Sequence, residues 1–361
     1  MENRRKFIKK SGLFLAASAL PFPNIMFGQQ KKKLGVALLG LGGYATNQLA
    51  PSLQQTKNIE LRGIITGSPE KIPQWKKKYD IKDANVYNYE NMGDIANNDA
   101  IDVVYIVTPT FLHAKYAVAA ANAGKHVFCE KPMAMTAAEC QEIIDACKQN
   151  NVKLAIGYRM QHEKNTRQIM QWAKTKPYGN IQEVATASGF KINSSAGWRL
   201  DGSKGGGAIY DMGVYNINAT RYSTGLEPLW VKARHETTRT DLFTNGANEV
   251  TYFNMEFPGG ITAEGKVSYA EGYNNLNITC ADGSYELSPF QSYNGVQGTT
   301  SDGKNLPPCD CVQQAIQMDD DALSILDNKP MMVPGQEGLR DIRIVEAILE
   351  SAKNGSEKIV L

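Results

Sequence analysis

The sequence predicts an α/β protein with two domains. A doubly wound parallel sheet is expected over residues 31–158, and an α/β domain with a large, mostly antiparallel, open-faced sheet over residues 159–361. Strand and helix patterns alternate through the first half, extended segments separated by turn pairs dominate the second half, and a glycine-rich turn follows the first strand. The length of 361 residues suffices for two such domains, and 42% apolar with 21% charged residues is ordinary globular composition.

The first 30 residues are set apart as a targeting segment. In "NRRKFIKKSG", Arg4 and Arg5 precede the apolar stretch "LFLAASAL". This pattern is typical of a twin-arginine export signal, and it predicts a periplasmic protein that has no membrane partner once the signal is removed. A merely basic N-terminus is the alternative interpretation.

The first strand of the predicted sheet ends in a glycine-rich turn. "KLGVALLGLGGYATNQLAPSL" has the form G-x-G-x-x-A from Gly40 to Ala45. Gly40 permits the tight turn, Gly42 lets the backbone approach a pyrophosphate at the helix N-terminus, and Ala45 allows close packing of helix on strand. The turn therefore predicts a dinucleotide-binding Rossmann domain.

Strand and helix patterns alternate after this turn. The strands are "IELRGIIT", "AIDVVYIVTP", "HVFCE" and "KLAIGY", and the helices are "PEKIPQWKKKY", "FLHAKYAVAAANAG" and "TAAECQEIIDACKQNN". Such repetition predicts a parallel sheet that is covered on both faces.

The second half of the chain is dominated by extended segments. A helix near Lys164–Lys174 and a second one through "AIYDMGVYNINATRYS" come first. The extended segments "LWVKARHETT", "NEVTYFNMEF", "ITAEGKVSYAEG" and "LNITCADGSYELS" follow, and two helices, near Val312–Asn328 and Gln336–Asn354, close the chain. Turn pairs between the extended segments predict antiparallel pairing.

The end of the second strand indicates which dinucleotide binds. An acidic residue about 20 positions after the glycines would bond the 2′-hydroxyl of NAD. Here the strand ends at Thr66, and Lys71 follows. A hydroxyl and a lysine suit a 2′-phosphate better, so NADP is the predicted cofactor, with NAD possible.

Two segments carry candidate catalytic residues. In "KHVFCEKPMAM", Lys131 follows a buried strand at the sheet edge where doubly wound sheets bind ligands. In "YDMGVYNINATRY", Asp211 and Tyr215 are four residues apart and share one helix face. A carboxylate, a phenol and a lysine near a nicotinamide would form a proton relay for alcohol–ketone interconversion, since the cationic lysine stabilises the phenolate.

Charge and cysteine content exclude other classes of function. Lys plus Arg exceed Asp plus Glu by 39 − 37 = 2, so no nucleic-acid partner is expected. The six cysteines have no zinc-type spacing, and no metal site is predicted. Three cysteines are predicted to be small, buried apolar residues: Cys129, Cys140 and Cys147. A disulfide between other cysteines is neither predicted nor excluded.

These motifs together resemble the Gfo/Idh/MocA oxidoreductases, and most closely their glucose–fructose oxidoreductase branch. The resemblance rests on "GLGGYATNQLAP", "YIVTPTFLHA", "AGKHVFCEKPMA", "IGYR", "GWRL", "GGGAIYDMGVYNINATRY" and "PGQEGLRDIRIVEAI", which span the mature chain. It implies an NAD(P)-dependent enzyme that transfers hydride between nicotinamide and a sugar hydroxyl or carbonyl. It also implies a homodimer or homotetramer built on the open sheet face.

The resemblance implies roles residue by residue. Lys131 would orient the substrate hydroxyl, Tyr215 would be the general acid/base, and Asp211 would bind a sugar hydroxyl. The remaining substrate-binding residues would be Arg159, Trp198 and Arg199. The cofactor would contact Gly40, Gly42, Gly43, Tyr44, Ala45, Thr66, Lys71, Tyr89, Thr108, Pro109, His113, Glu130 and Lys131.

The chain departs from this branch at two points. Only "GQQKKK" separates the leader from the first strand, where the branch carries a proline-rich arm that covers the cofactor, and Thr110 stands where the branch has an asparagine. Two other functions stay open: an NAD-dependent glycosidase that acts by transient oxidation and elimination, and a non-catalytic dinucleotide-binding protein. If Tyr215 is not the general base, His113 is the next candidate.

Overall fold

The computed structural model describes residues 33–361, so the predicted leader, residues 1–30, lies outside the described residues. Six parallel strands form the first sheet. They are β1 (Leu34–Leu39), β2 (Ile59–Ile65), β3 (Val86–Tyr87), β4 (Val103–Ile106), β5 (His126–Cys129) and β6 (Leu154–Ile156). Their order is β3-β2-β1-β4-β5-β6, the doubly wound order, and the topological switch point lies between β1 and β4.

Four helices connect these strands. They are α1 (Ala50–Leu53), preceded by a π-helical turn at Ala45–Leu49, α2 (Ile72–Tyr79), α3 (His113–Asn122) and α4 (Ala137–Gln149). Helix α4 begins with a capping box, in which the Thr136 side chain accepts from Glu139 N–H and the Glu139 carboxylate accepts from Thr136 N–H. The predicted alternation of strands and helices is confirmed.

In the part of the chain that the structure describes, the second sheet has nine strands, and one of its strand pairs is parallel. The strands are β7 (Ile181–Gly189), β8 (Trp230–Glu236), β9 (Val250–Phe257), β10 (Ile261–Ser268), β11 (Tyr273–Cys280), β12 (Gly283–Leu287), β13 (Gly298–Thr300), β14 (Asn305–Leu306) and β15 (Ile359–Val360). Their order is β14-β13-β12-β11-β7-β10-β9-β8-β15, and β10 pairs with β7 in parallel. The mostly antiparallel sheet predicted for the second half is therefore confirmed.

Four more α-helices are found in the described residues. They are α5 (Lys164–Thr175), α6 (Val214–Thr224), α7 (Gln313–Leu326) and α8 (Gly335–Lys353). Helix α6 is buried along its whole length against the second sheet, and a π-helical turn, Ile209–Gly213, precedes it. Among the described residues, no helix combines the length and the apolar composition that a membrane crossing would require.

Helix α7 lies far along the chain but packs on the first sheet. Met318 and Ala322 of α7 are fully buried in one apolar cluster with Val36, Leu38 and other residues of β1 to β6. The opposite face of the same sheet packs on α3, α4 and α8. Each face of the first sheet is thus covered, which explains why its strands read as continuous apolar runs. The predicted domain boundary at residue 158 stays a prediction.

Candidate active site

A cavity of about 930 Å³ lies at the carboxyl ends of the first sheet's strands, and residues of the second sheet complete its wall. It is lined by thirteen of the predicted site residues: Gly42, Gly43, Tyr44, Thr108, Pro109, His113, Glu130, Lys131, Arg159, Trp198, Arg199, Asp211 and Tyr215. The structure therefore brings the predicted catalytic residues and most of the predicted cofactor residues to one site.

The glycine-rich turn has the geometry that a pyrophosphate requires. Gly40 has φ +99°, and a Cβ atom there would lie 2.9 Å from the carbonyl oxygen of Val107. Nothing lies within 4 Å of a Cβ built on Gly42, so that backbone is open to a ligand. The first helical hydrogen bond runs from Thr46 N–H to Gly42 C=O, which leaves the intervening N–H groups at the helix N-terminus.

Lys131 is held against the helix that carries the other two catalytic candidates. Its side chain is 11% exposed, and its Nζ donates to the backbone oxygen of Asp211 at 2.8 Å. The same Nζ lies 3.6 Å from Asp211 Oδ1 and 4.4 Å from the centroid of the Tyr215 ring. Burial disfavours the ammonium, but Tyr215 and Asp211 outweigh it and raise the pKa of Lys131 above its ordinary value. A solvated surface lysine is excluded, and the bond to Pro132 is cis.

Asp211 is a fixed anion. Its Oδ2 accepts from Arg199 Nε at 2.9 Å and from the Tyr269 hydroxyl at 2.7 Å. Burial alone would raise the pKa of this carboxyl, but the charges of Lys131 and Arg199 and the hydrogen bond from Tyr269 lower it to about 2. A carboxylate with this pKa does not accept a proton at neutral pH, so Asp211 positions other groups.

Tyr215 lies in the first turn of α6, directly after the π-helical turn that contains Asp211. It is 7% exposed, and its ring is covered by two cations: Lys131, and Arg159 with its guanidinium carbon 5.5 Å from the ring centroid. Tyr215 thus supplies the hydroxyl group among the three catalytic candidates and is the one placed to exchange a proton.

Arg159 lines the cavity and binds the loop that contains residues 291 and 292. Its guanidinium donates to the backbone oxygens of Gln291 and Ser292 and to the side chain of Gln313. It also lies 4.6 Å from the centroid of the Tyr293 ring, which lines the cavity. Most of its N–H donors are therefore bonded to other protein groups. These contacts hold the loop around residue 291 near Tyr215.

His113 connects two loops of the first sheet. Its Nδ1 lies 2.8 Å from the Pro132 carbonyl oxygen, and its Nε2 lies 2.8 Å from the Thr108 carbonyl oxygen. Burial lowers the pKa of this histidine. Because both ring nitrogens face backbone acceptors, His113 is not free to accept a proton from a substrate, which argues against its role as the alternative base.

The predicted 2′-phosphate residues lie at the end of β2. Thr66 is 3% exposed, its hydroxyl accepts from Ser68 N–H at 3.0 Å, and with Tyr89 it lines a second cleft of about 370 Å³. Lys71 Nζ donates to the carbonyl oxygen of Leu41 in the glycine-rich turn at 3.0 Å. Gly40 and Ala45 are buried in the turn itself. Lys71 thus reaches the turn and does not line either cavity.

Several residues of the site were not predicted, among them Tyr269, Gln291 and Tyr293. Tyr269 follows β10, and Gln291 and Tyr293 lie in the loop after β12. Among these three, the sequence offered a weak signal only for Tyr269, because a polar aromatic near the C-terminal end of a predicted extended segment lies toward a sheet edge. The loop residues have no local pattern that separates them from ordinary surface residues.

The described cysteines are either free or paired in a local disulfide. Within residues 33–361 no cluster of His, Cys, Asp and Glu could hold a metal ion. Cys129, Cys140 and Cys147 are buried and free, and Cys309 forms a disulfide with Cys311. The disulfide that the sequence left open is therefore local to the loop before α7.

Comparison with known proteins identifies the family. The oxidoreductase family model with an NAD-binding Rossmann fold matches residues 34–158, and the GFO/IDH/MocA C-terminal domain model matches residues 166–286. An aldose-aldose oxidoreductase from Caulobacter crescentus, solved with glycerol, is 36% identical with a TM-score of 0.87, covering 91% of this chain and 100% of that one.

Two further comparisons agree with this assignment. The D-xylose 1-dehydrogenase [NADP(+)] of Haloarcula marismortui is 26% identical over 334 residues, 89% of this chain and 91% of that protein. An oxidoreductase from Agrobacterium radiobacter, solved with NAD+, L-tartaric acid and magnesium, has the same fold at 19% identity and a TM-score of 0.76, with 91% of this chain and 98% of that chain covered. The chain belongs to the GFO/IDH/MocA family of oxidoreductases.

Proposed function

We propose that the protein is an NADP-dependent oxidoreductase that transfers hydride between the nicotinamide and an aldose. One observation carries the proposal: Lys131, Asp211 and Tyr215 meet on the wall of the cavity that the glycine-rich turn also lines. The two relatives named for aldose and D-xylose chemistry support a sugar as substrate.

Each of the three catalytic candidates has a separate role in the reaction. Tyr215 takes the hydroxyl proton of the sugar during oxidation and returns a proton during reduction. Lys131 donates to the same sugar oxygen and stabilises the phenolate of Tyr215. Asp211, which remains ionised, holds Lys131 by its backbone and side-chain oxygens. The hydride that leaves the sugar carbon is accepted by NADP+ when the cofactor is bound.

NADP fits the residues at the end of β2. The open backbone at Gly42 and the helix N-terminus after it would hold the pyrophosphate. Thr66 and Lys71 would contact the 2′-phosphate, since a hydroxyl and an ammonium are both donors. No carboxylate stands at the end of β2, where an NAD-specific domain places one.

The first experiment is denaturation of the purified protein and identification of any released nucleotide, followed by a panel of aldoses with NADP+ and NAD+. Formation of NADPH with an aldose supports the oxidoreductase. Release of free sugar from a glycoside, without net change of the nucleotide, would indicate the glycosidase instead. Nucleotide binding without turnover of either kind of substrate would indicate the non-catalytic protein.

We also propose that the leader directs the folded protein to the periplasm. The twin arginines at Arg4 and Arg5 support this, and the Cys309–Cys311 disulfide suits an oxidising compartment. Cell fractionation of the wild-type protein and of a variant with both arginines replaced by lysine tests it. Wild-type protein found only in the cytoplasm would contradict the proposal.

A homodimer or homotetramer is proposed on the exposed face of the nine-stranded sheet. That face carries Arg234, whose guanidinium lies 3.9 Å from the centroid of Tyr252, and Lys266, 4.1 Å from the centroid of Tyr273. Aromatic and arginine side chains are enriched in protein–protein interfaces, which supports association through this face. Light scattering measures the mass, and a monomer at micromolar concentration would contradict the proposal.

A further inference from the structure

A chain of buried polar side chains connects the active-site cavity with helix α7. It begins at Glu130, which is 5% exposed and lines the cavity beside Lys131. The hydroxyl of Tyr105, a fully buried residue of β4, donates to Glu130 Oε1 at 2.7 Å. Gln317 of α7, 1% exposed, donates from its Nε2 to the same hydroxyl oxygen at 3.2 Å.

The chain continues to a second buried carboxyl group. Asp321 lies one helical turn after Gln317, is 0% exposed, and has the Gln317 side chain within hydrogen-bond reach. Among the described residues, no donor reaches either oxygen of Asp321, and none reaches Gln317 Oε1. Gln317 Oε1 and the two Asp321 oxygens are all acceptors, so a hydrogen bond between Oε1 and Asp321 requires a proton on the carboxyl group, and a buried unpartnered carboxylate is costly.

A proton on Asp321 would supply the missing hydrogen-bond donor. Its hydroxyl then donates to Gln317 Oε1, Gln317 Nε2 donates to Tyr105, and Tyr105 donates to an ionised Glu130. The hydrogen bonds along the chain then all run in one direction, from Asp321 to Glu130. Gln317 Oε1 gains a donor, and one carboxyl group is neutral while the other is charged.

The same four side chains can also form these hydrogen bonds in the opposite direction. Rotation of the Gln317 amide by 180° would place its NH2 toward an ionised Asp321 and its oxygen toward the Tyr105 hydroxyl. Glu130 would then carry the proton and donate to the oxygen of Tyr105. Each arrangement has one carboxyl proton and the same net charge. The two arrangements differ only in whether the negative charge lies beside the cavity or beside α7.

We propose that Glu130 and Asp321 share one proton through Tyr105 and Gln317, so that Asp321, outside the cavity, determines the charge of Glu130 inside it. Asp321 is then a positioning residue that acts through Gln317 and Tyr105. An ionised Glu130 supports the ammonium of Lys131, while a neutral Glu130 withdraws that support. The inference concerns the protein's own groups and does not depend on which sugar is oxidised.

The electrostatic surroundings of Glu130 and Asp321 are consistent with one proton shared between the two carboxyl groups. Burial raises the pKa of Glu130 to about 7, against the hydrogen bond from Tyr105 and the charges of Lys131 and Arg159. Burial also raises the pKa of Asp321 to about 7, and Asp320 adds to this rise, whereas His162 and Gln317 oppose it. Asp320 itself is paired with His162 and Arg167. Groups with such similar pKa values that are joined by hydrogen bonds titrate as a pair.

The test compares the titration of Glu130 with the chain intact and with the chain broken. Infrared spectra of the full protein in D2O between pH 5 and 9 record the band of protonated carboxyl groups. The Glu130 contribution is the part of the band that disappears on adding Glu130→Gln. In Asp321→Asn, the Asn amide donates into the chain as protonated Asp321 does, so Glu130 should stay ionised to lower pH.

The matched comparison is the double variant Gln317→Leu with Asp321→Asn, in which the chain is interrupted. The Glu130 midpoint should lie at least about one pH unit lower in Asp321→Asn than in this double variant. Asp320→Asn, the neighbouring carboxyl on α7, should shift the midpoint much less than Asp321→Asn does, because Asp320 acts on Asp321 by its charge and is not part of the chain. Equal midpoints in the single and the double variant would overturn the proposal.

A kinetic measurement covers the case in which the Gln317 variant does not fold. The pH profile of kcat/KM is recorded for wild-type protein, Asp321→Asn and Asp320→Asn. The acid limb should move to lower pH in Asp321→Asn by about the shift that the infrared titration gives, and it should move much less in Asp320→Asn, which affects Asp321 only through its charge. A merely structural role for Asp321 would lower the stability and leave the profile in place, which would contradict the proposal.

Discussion

Replacing Tyr215 with phenylalanine removes one hydroxyl from the centre of the site and leaves its packing intact. The ring, 7% exposed, keeps its contacts with Lys131 at 4.4 Å and with Arg159 at 5.5 Å. Arg159 keeps its hydrogen bonds to the backbone of Gln291 and Ser292. The variant is therefore expected to fold and to bind the cofactor nearly as the wild-type protein does.

The loss in the chemical step is expected because neither Asp211 nor His113 can replace the Tyr215 hydroxyl, and Glu130 is already bonded to Tyr105. Asp211, whose pKa is about 2, stays ionised and accepts from Arg199 and Tyr269. Both ring nitrogens of His113 face backbone carbonyl groups. The full contribution of a positioned acid/base, roughly 10²–10⁴-fold, should therefore be lost. This corresponds to about 2.7–5.4 kcal/mol of activation free energy.

The assay is single-turnover reduction of NADP+ by the sugar, followed by absorbance from pH 6 to pH 9. The wild-type rate should rise with pH, because the phenol must lose its proton before it can accept one from the sugar. The Tyr215→Phe rate should be low and nearly independent of pH. Tyr293→Phe is the matched control, since this tyrosine lines the same cavity and contacts Arg159 but has no assigned role in proton transfer.

Two results would refute the reasoning. A Tyr215→Phe protein that keeps the wild-type rate and pH profile would show that the proton leaves by another group. An equal loss in Tyr293→Phe and Tyr215→Phe would show that the measurement reports the polarity of the cavity and not a specific proton transfer. Circular dichroism of each variant verifies that the comparison is made between folded proteins.

Three further predictions concern residues around this centre. Lys131→Met should fold and lose most activity, because Asp211 keeps its other two donors while the sugar oxygen loses its cation; near-wild-type turnover of the folded variant would contradict it. Lys71→Ala should weaken NADP binding by about 1.5–3 kcal/mol and NAD binding far less, as measured by titration; equal losses would exclude a 2′-phosphate contact. The low pKa of Asp211 contributes about 2.6 kcal/mol of unfolding free energy above pH 4, which is lost as pH falls through about 2. Tyr269→Phe should therefore lower the unfolding free energy at pH 5 by about 1.5–3 kcal/mol, with a smaller difference at pH 2; a pH-independent difference would contradict the role of this hydrogen bond.

The sequence predicted the parts of the site that depend on local pattern. The turn from Gly40 to Ala45 is bounded by a strand and a helix, and Lys131 directly follows a strand, so their positions at one sheet edge follow from topology. Asp211 and Tyr215 were predicted to share a helix face, and both line the cavity. The π-helical turn that contains Asp211 was not predicted, because no residue type in that segment specifies one.

The contributions that the sequence could not predict come from distant segments. Tyr269 reaches Asp211 across 58 residues of chain, and Gln317 reaches Tyr105 across 212. Such contacts depend on how the two sheets and α7 are placed, which hydrophobic periodicity does not determine. The polar residues on the buried face of α7, among them Gln313, Gln317 and Asp321, read as ordinary surface positions until their neighbours are known.

The position of α7 limits how this enzyme can be recombined with its relatives. A chimera that exchanges residues 34–158 and keeps the rest would combine a new sheet with the old α7, whose Met318 and Ala322 are fully buried against that sheet. Large-to-small changes at such contacts commonly cost 2–5 kcal/mol, and oversized side chains cost about 1–3 kcal/mol. A graft designed to change cofactor preference should therefore carry α7 from the donor protein together with the strands, although nearly 160 residues of chain separate the two.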